Sequence, residues 1–139
     1  MTTLPATDAT VDGARSHFIV QLGMYDVEVQ GADLAMCLPH ETSRSNSRGG
    51  LQGGLIATLI DVVAGRAALI GTDLDLTVTT SDLTVHYLAP VRAGPARAAA
   101  HVLRRGRRSI VLRVDVHDAS DETLAAVATI AFAIVRPRS

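Results

Sequence analysis

The chain has 139 residues, of which 47% are hydrophobic and 19% are charged, and its formal net charge is −1. This length and composition predict one domain over residues 1–139, and the lack of basic excess with only 3% aromatic residues argues against nucleic-acid binding. The longest apolar stretch is interrupted by charges and residues 1–15 lack an apolar signal region, so a soluble cytoplasmic protein with no membrane span is expected.

The first third of the chain contains short elements. Residues 1–11 are expected to form a disordered leader, and residues 14–24 a short helix with three apolar side chains on one face. Residues 25–30 and 32–38 flank Gly31 and predict a hairpin. Residues 39–50 form a polar loop rich in serine and glycine. The sole cysteine, Cys37, excludes an internal disulfide and is interpreted as a small buried hydrophobe.

A long helix is predicted over residues 52–70, and it is apolar on nearly every side. A helix of this kind is normally buried on most of its surface. One side carries only small residues and Asp61, the single acid of the stretch. A buried carboxylate is costly unless it is paired or used. Arg66 is a poor partner for Asp61 because an offset of five residues places it on another face of the helix.

The second half of the chain predicts strands. The predicted strands are residues 76–88, 96–105, 109–117 and 124–135. In them apolar and polar side chains alternate or β-forming residues are frequent, and turns separate them. Even-numbered apolar residues from Ile110 to Val116 should face the core, and so should Leu124, Ile130, Phe132 and Ile134. We expect an α+β fold in which a meander of four antiparallel strands curls around the one long central helix.

The start of the predicted helix could carry chemistry. Gly53 and Gly54 lie where backbone N–H groups have no partners inside the helix, and glycine lets a ligand approach that backbone closely. Such donors can polarise a carbonyl and stabilise an oxyanion. Asp61 lies two turns further along and could act as a general base or nucleophile. Asn46 could supply an amide from the preceding loop.

These residues resemble a known family. The spacing Asn46, Gly49, Gln52, Gly53, Gly54 and Asp61 is similar to that of the hotdog-fold acyl-CoA thioesterases of the phenylacetate-pathway type. The segments S-D-L-T-V-H-Y-L-A-P-V-R-A-G, residues 81–94, and R-R-G-R-R, residues 104–108, also resemble that family. The resemblance spans roughly residues 16–136 and implies a hotdog fold: an antiparallel sheet curled around one long central helix.

The resemblance implies roles for four residues. Asp61 matches the catalytic carboxylate, Gly53 the oxyanion donor, and Asn46 a loop amide that contacts the thioester or the attacking water. Thr80 matches a hydroxyl that orients the water, although a shift of one residue in the alignment would select Thr79 or Ser81. The family forms its sites across a dimer interface, so Asp61 and Thr80 would come from one subunit and Asn46 and Gly53 from the other. Dimers commonly pair into tetramers.

Substrate binding is expected at the helix start and at the arginine-rich hairpin. Gln52 and Gly54 are candidate contacts, and Arg104, Arg105 and Arg107 could attract the phosphates of coenzyme A. Hairpin tips are normally solvated, and the alternative is that these arginines form only a solvated turn. The histidines show no metal-ligand spacing, so neither a metal nor a cofactor is expected.

The leading hypothesis is an acyl-CoA thioesterase that releases free acid and coenzyme A. The family usually has histidine at the position of Gln52, and glutamine cannot carry a proton at neutral pH. This departure argues against a hydratase or dehydratase acting on acyl thioesters, for which His86 is only a remote substitute. The residues are also compatible with a non-catalytic acyl-CoA-binding module and with a purely structural dimer.

Overall fold

The computed structural model of the chain describes residues 2–3, 17–73 and 75–136. Most of the predicted leader, residues 1–11, lies outside this part of the chain, although residues 2 and 3 are described as a strand. A short 3-10 helix also lies in the loop before the long helix. The elements are β1 Thr2–Thr3, α1 Phe18–Gln21, β2 Tyr25–Val27, β3 Leu34–Leu38, the 3-10 helix Thr42–Arg44, α2 Gly53–Leu69, β4 Thr77–Tyr87, β5 Ala96–Arg105, β6 Ser109–Asp118 and β7 Thr123–Val135.

The strands form one antiparallel sheet in the order β1-β2-β3-β5-β6-β7-β4. The predicted hairpin is confirmed as β2 and β3, although both strands are shorter than expected. The meander of four strands is wrong, because β4 pairs with β7 and not with β5. After β4 the chain crosses the start of α2, where the Leu51 N–H donates to the Val91 carbonyl at 2.9 Å, and it enters β5 beside β3. Strand β4 is therefore an edge strand.

The long helix α2 packs on the concave face of the sheet, as predicted. Strand β5 turns Ala96, Ala98 and Ala100 toward this helix, all fully buried, and Val102 packs against the same core. Small side chains on the strand leave room for larger ones on the helix. The buried side of α2 consists of Ile56, Leu59, Ile60, Val63, Ala64, Ala67 and Ala68.

The other side of α2 is only partly covered. Gly54 is exposed, and Ala57, Thr58, Asp61 and Gly65 keep intermediate exposure within the chain. The predicted small-residue face is therefore open around Asp61, but Ala64 and Ala68, which the sequence placed on it, belong to the buried side. Arg66 does not pair with Asp61, as predicted; it makes a bidentate ion pair with Asp26 of β2, with N–O distances of 2.5 and 2.9 Å. This hydrogen bonding outweighs partial burial and raises the pKa of Arg66.

The alternation of β6 is confirmed, whereas one residue of β7 was misplaced. Ile110, Leu112, Val114 and Val116 are all buried. Leu124, expected on the core face, is 38% exposed. The reason is a shift in register between Val116 and His117: their partners, Ala126 and Leu124, are separated by one extra residue, Ala125. Such a bulge reverses the faces of the residues before it.

Candidate active site

The start of α2 presents free backbone donors. Gln52 is the residue before the helix, and its side chain makes no capping bond to it. In the part of the chain that the structure describes, the N–H groups of Gly53 and Gly54 donate to no acceptor. Gln52 is exposed, and its side-chain amide donates to the Ser45 carbonyl at 3.4 Å. The helix start thus offers two adjacent donors to a ligand.

Tyr87, at the end of β4, holds this helix start in place. Its hydroxyl donates to the Gly53 carbonyl at 2.6 Å, and its ring lies 3.3 Å from the position a Cβ of Gly53 would occupy. Burial raises the pKa of Tyr87, so the phenol keeps the proton it donates. No sequence pattern assigned this residue a role. Strand alternation could have placed it on the same face as Leu83 and Val85, but it could not show the contact with Gly53.

Replacing Tyr87 with Phe should loosen the helix start. The variant loses the hydroxyl bond that fixes the peptide between Gly53 and Gly54. We expect a loss of about 1 kcal/mol in the free energy of unfolding, the usual size for one neutral hydrogen bond. We also expect a fall of several-fold in kcat, read from steady-state turnover. Tyr25→Phe, which removes a hydroxyl from the distant strand β2, is the control; an equal fall in kcat there would contradict the role given to Tyr87.

The structure brings Asp61 and Thr80 together. Thr80 of β4 donates its hydroxyl hydrogen to Asp61 Oδ1 at 2.6 Å. The bond leaves Oδ2 of Asp61 without a partner among the described residues and on the open face of α2. A carboxylate held through one oxygen can use the other as a base or nucleophile. The two residues meet because β4 lies at the sheet edge, next to that open face.

The geometry also distinguishes Thr80 from the neighbouring hydroxyl residues Thr79 and Ser81. Thr79 pairs with Ala133 on the face of the sheet turned away from α2. Ser81 lies where the register of β4 shifts, and its hydroxyl donates to the Ala131 carbonyl at 3.1 Å. Of the three hydroxyl residues that the sequence left open, Thr80 is the one that contacts the carboxylate.

Asn46 organises the loop that leads into α2. Its Oδ1 accepts the N–H groups of Arg48 at 2.8 Å and Gly50 at 3.2 Å, so the loop folds around this side chain. The oxygen is therefore occupied, and the amide nitrogen is the group left for a ligand. Asn46 and Gly53 line one cavity of about 460 Å³ at the helix start. The cavity does not include Asp61 or Thr80.

A second loop, residues 88–94, closes the other side of this cavity. Asp118, 1% exposed, accepts the N–H groups of Arg92, Ala93 and Gly94 at 2.9 to 3.3 Å. It also accepts the N–H and hydroxyl of Ser120. Burial alone would raise the pKa of Asp118, but these bonds outweigh it and lower the pKa to about 2. The sequence showed this acid only as part of a turn.

The arginines of the hairpin between β5 and β6 do not act as one group. Arg105 turns to the end of α2, where it donates to the carbonyls of Ala68 at 2.6 Å and Ala67 at 3.3 Å. It thereby satisfies free carbonyls and complements the helix dipole. Arg104 and Arg107 line a separate open cavity with Arg108 and Arg136. Within one chain this cavity lies at the opposite end of α2 from Gly53.

Comparisons with known proteins agree with the fold. The thioesterase superfamily profile matches residues 49–125. A thioesterase structure from Haemophilus influenzae, at 22% identity, superposes with a TM-score of 0.78 over 93% of this chain and 87% of that chain. A Bacillus halodurans protein solved with CoA is 26% identical, with a TM-score of 0.68 over 73% of this chain and 66% of its own. Human acyl-coenzyme A thioesterase 13 is 32% identical over 77 residues, or 55% of this chain.

The chain therefore belongs to the thioesterase superfamily, has the hotdog fold, and is a hydrolase of the thioesterase class. It spans about half, 54%, of the length of the human enzyme. Among the described residues, no helix is long and apolar enough to cross a membrane.

Proposed function

We propose that the chain hydrolyses an acyl-CoA thioester to a free acid and coenzyme A. The observation that carries this proposal is the Thr80–Asp61 hydrogen bond of 2.6 Å on the open face of α2, where the second carboxylate oxygen meets no partner among residues 17–73 and 75–136. Two relatives support the choice of substrate. The Bacillus halodurans protein was solved with CoA, and the human relative bears the name acyl-coenzyme A thioesterase.

The proposed reaction uses groups of the chain alone and no cofactor. The free N–H groups of Gly53 and Gly54 polarise the thioester carbonyl and stabilise the oxyanion that forms on it. Asp61 either takes a proton from the attacking water or attacks the carbonyl carbon itself, with Thr80 fixing its orientation. On the base route the carbon–sulfur bond then breaks and Asp61 passes the proton to the departing sulfur. On the nucleophile route the bond breaks as the acyl–Asp61 anhydride forms, and coenzyme A leaves as a thiolate that takes a proton from solvent. With Asp61 as nucleophile, water hydrolyses the acyl-enzyme.

A single chain cannot complete this site. Asp61 lies eight positions after Gly53 on one straight helix, which is about 12 Å at 1.5 Å per residue. Reacting groups must approach to about 3–3.5 Å. We propose that a second copy of the chain supplies the missing half, so that Asp61 and Thr80 of one subunit face Asn46 and Gly53 of the other.

The edge strand β4 is the proposed dimer contact. Within the described part of the chain, its 11 residues have no strand partner on the side away from β7, and an edge of this kind can pair with another strand. Antiparallel pairing of two β4 strands would join the sheets and set the two α2 helices side by side in opposite directions. We propose that such dimers pair again into a tetramer, as the family resemblance implies. A cytoplasmic location likewise stays a prediction from the sequence.

The proposed dimer also brings the arginines of the β5–β6 hairpin near the site. Pairing of β4 in opposite directions puts the hairpin of one subunit at the same end of the joint sheet as the helix start of the other. Arg104 and Arg107 are therefore proposed to attract the phosphates of coenzyme A by long-range electrostatics. Arg105 can contribute charge there, although its guanidinium is bound to the end of α2. Gln52 and Gly54 remain proposed substrate contacts.

Hydration of an enoyl thioester is the less favoured reaction. It usually needs a catalytic histidine opposite the acid. His86 pairs with Val127 on the face of β4 turned away from α2, so it does not face Asp61. Gln52 cannot replace it as a proton carrier.

The test is a panel of aryl, short, medium and long acyl-CoA thioesters, with thiol release followed by a colorimetric reagent. We expect saturable turnover on at least one class. An enoyl-CoA sample, monitored for loss of its enoyl absorbance, tests the hydratase reaction in parallel. Tight binding of the panel without thiol release would instead support a non-catalytic binding module.

A further inference from the structure

Two arginines that the sequence did not single out line the cavity at the start of α2. Arg48 belongs to the loop before the helix, and Arg92 to the loop after β4. Both side chains are exposed. The cavity of about 460 Å³ also has apolar lining from Leu51, Ile56 and Leu88. Two arginines from separate segments thus line one concave surface.

Neither arginine is used by the fold. Among residues 17–73 and 75–136, the arginines paired with a carboxylate are Arg44, Arg66, Arg97 and Arg113. The guanidinium groups of Arg48 and Arg92 have no hydrogen-bond or ion-pair partner in that part of the chain. Like charges that share a cavity repel each other, and an anion placed between them relieves that repulsion.

The backbones of both arginines are held by side-chain acceptors. The Arg48 N–H donates to Asn46 Oδ1 at 2.8 Å, and the Arg92 N–H donates to Asp118 Oδ2 at 2.9 Å. The two loops also touch, because Pro90 lies against Gly50, where an added Cβ would come within 2.9 Å of the Pro90 Cβ. Both residues therefore start from fixed positions, which lowers the entropy that ligand binding costs.

We propose that Arg48 and Arg92 bind a phosphate group of the coenzyme A portion of the substrate. The inference rests on the proposed acyl-CoA hydrolase function and adds a binding subsite to it. A guanidinium matches two phosphate oxygens with parallel N–H groups, and Arg is suited to this bidentate contact. The arginines of the hairpin then act at longer range, while the cavity arginines make the direct contact.

The experiment compares two substrates with the same acyl group, an acyl-CoA and the matching acyl-pantetheine thioester, which has no phosphate. The variants are Arg48→Gln and Arg92→Gln. We expect the ratio of kcat/KM between the acyl-CoA and the acyl-pantetheine to fall about tenfold in each, the size of one lost charge-assisted bond. The loss should lie in KM and not in kcat. A third substrate, the acyl-dephospho-CoA, lacks the 3′-phosphate. If the variants still lower the kcat/KM ratio between this substrate and the acyl-pantetheine, the contact is with the pyrophosphate; if the effect disappears, the contact is with the 3′-phosphate.

Arg113→Gln is the matched control, because Arg113 is an exposed arginine on the face of the sheet turned away from α2. It should leave the ratio of the two substrates unchanged. Arg107→Gln tests the rival location in the hairpin. The proposal is overturned if Arg107→Gln lowers the ratio and the cavity variants do not, or if the cavity variants impair both substrates equally.

The proposed function and this subsite can fail separately. If the wild type hydrolyses both thioesters and the cavity variants keep the wild-type ratio, the subsite is wrong and the function stands. If the wild type hydrolyses neither, the function is wrong. Calorimetry with CoA as the probe then decides the subsite, because weaker binding by Arg48→Gln and Arg92→Gln supports it and unchanged binding rejects it.

Discussion

Asp61→Asn should reduce kcat by about 10²–10⁴, the range that a positioned proton-transfer group contributes. Asparagine keeps an oxygen that can accept the Thr80 hydroxyl bond but cannot take a proton from water or attack a thioester carbonyl. The change is nearly isosteric and lies on the open face of α2, so the fold should persist. Steady-state thiol release and far-UV circular dichroism on the same samples make the comparison.

The control for this variant is Asp82→Asn. Asp82 is an exposed acid on the same strand as Thr80, and its side chain has no hydrogen-bond partner among the described residues. It should keep wild-type turnover, which separates the effect of Asp61 from a general loss of negative charge. Retained activity in Asp61→Asn would remove Asp61 from the mechanism, whatever the control shows.

Asp118→Asn should lower the free energy of unfolding by about 3–4 kcal/mol, because it disturbs a buried and fully bonded carboxylate. The two carboxylate oxygens accept five donors, and an amide in either orientation turns its own N–H groups toward some of them. Denaturation by guanidinium chloride measures the difference. The control is Asp115→Asn, because the Asp115 carboxylate makes only a 3.6 Å contact with Arg113. Its free energy of unfolding should lie within about 0.5 kcal/mol of the wild-type value.

The difference in the free energy of unfolding between the wild type and Asp118→Asn should also depend on pH. The pKa of Asp118 is about 2 in the folded chain against 3.8 for an ordinary aspartate, which corresponds to roughly 2.5 kcal/mol of stability at neutral pH. Because the folded pKa is the lower one, this stability is present above pH 4 and is lost as the pH falls toward 2. The gap between wild type and Asp118→Asn should therefore narrow over that interval, and a constant gap would show that the lowered pKa is not its cause.

The elements were predictable where local periodicity determines them. The helix of residues 52–70 and the strands from residue 76 onward differ from the observed bounds by only a few residues. The pairing of β4 with β7 was not predictable from period two, because strand order depends on contacts distant in sequence. Leu124 was misplaced because nothing in the alanine-rich start of β7 signals the extra residue at Ala125.

The candidate site was predicted in part, and mainly by family resemblance. The resemblance selected Asp61 and Thr80, and the structure places them in contact. It assigned nothing to Tyr87, Asp118 or Arg92, because an exposed aromatic, a turn acid and a loop arginine have no distinctive pattern in one sequence. Their contacts are each made with segments that are remote along the chain.

The distance between Gly53 and Asp61 along one helix has a consequence for mixtures of variant chains. If each site takes one half from each subunit, a chain lacking Asp61 and a chain with a damaged Asn46–Gly53 half can assemble into a dimer with one intact site. Two alleles that are inactive alone would then complement each other in the same cell. A single inactive allele, for its part, would silence one site of a mixed dimer and spare the other.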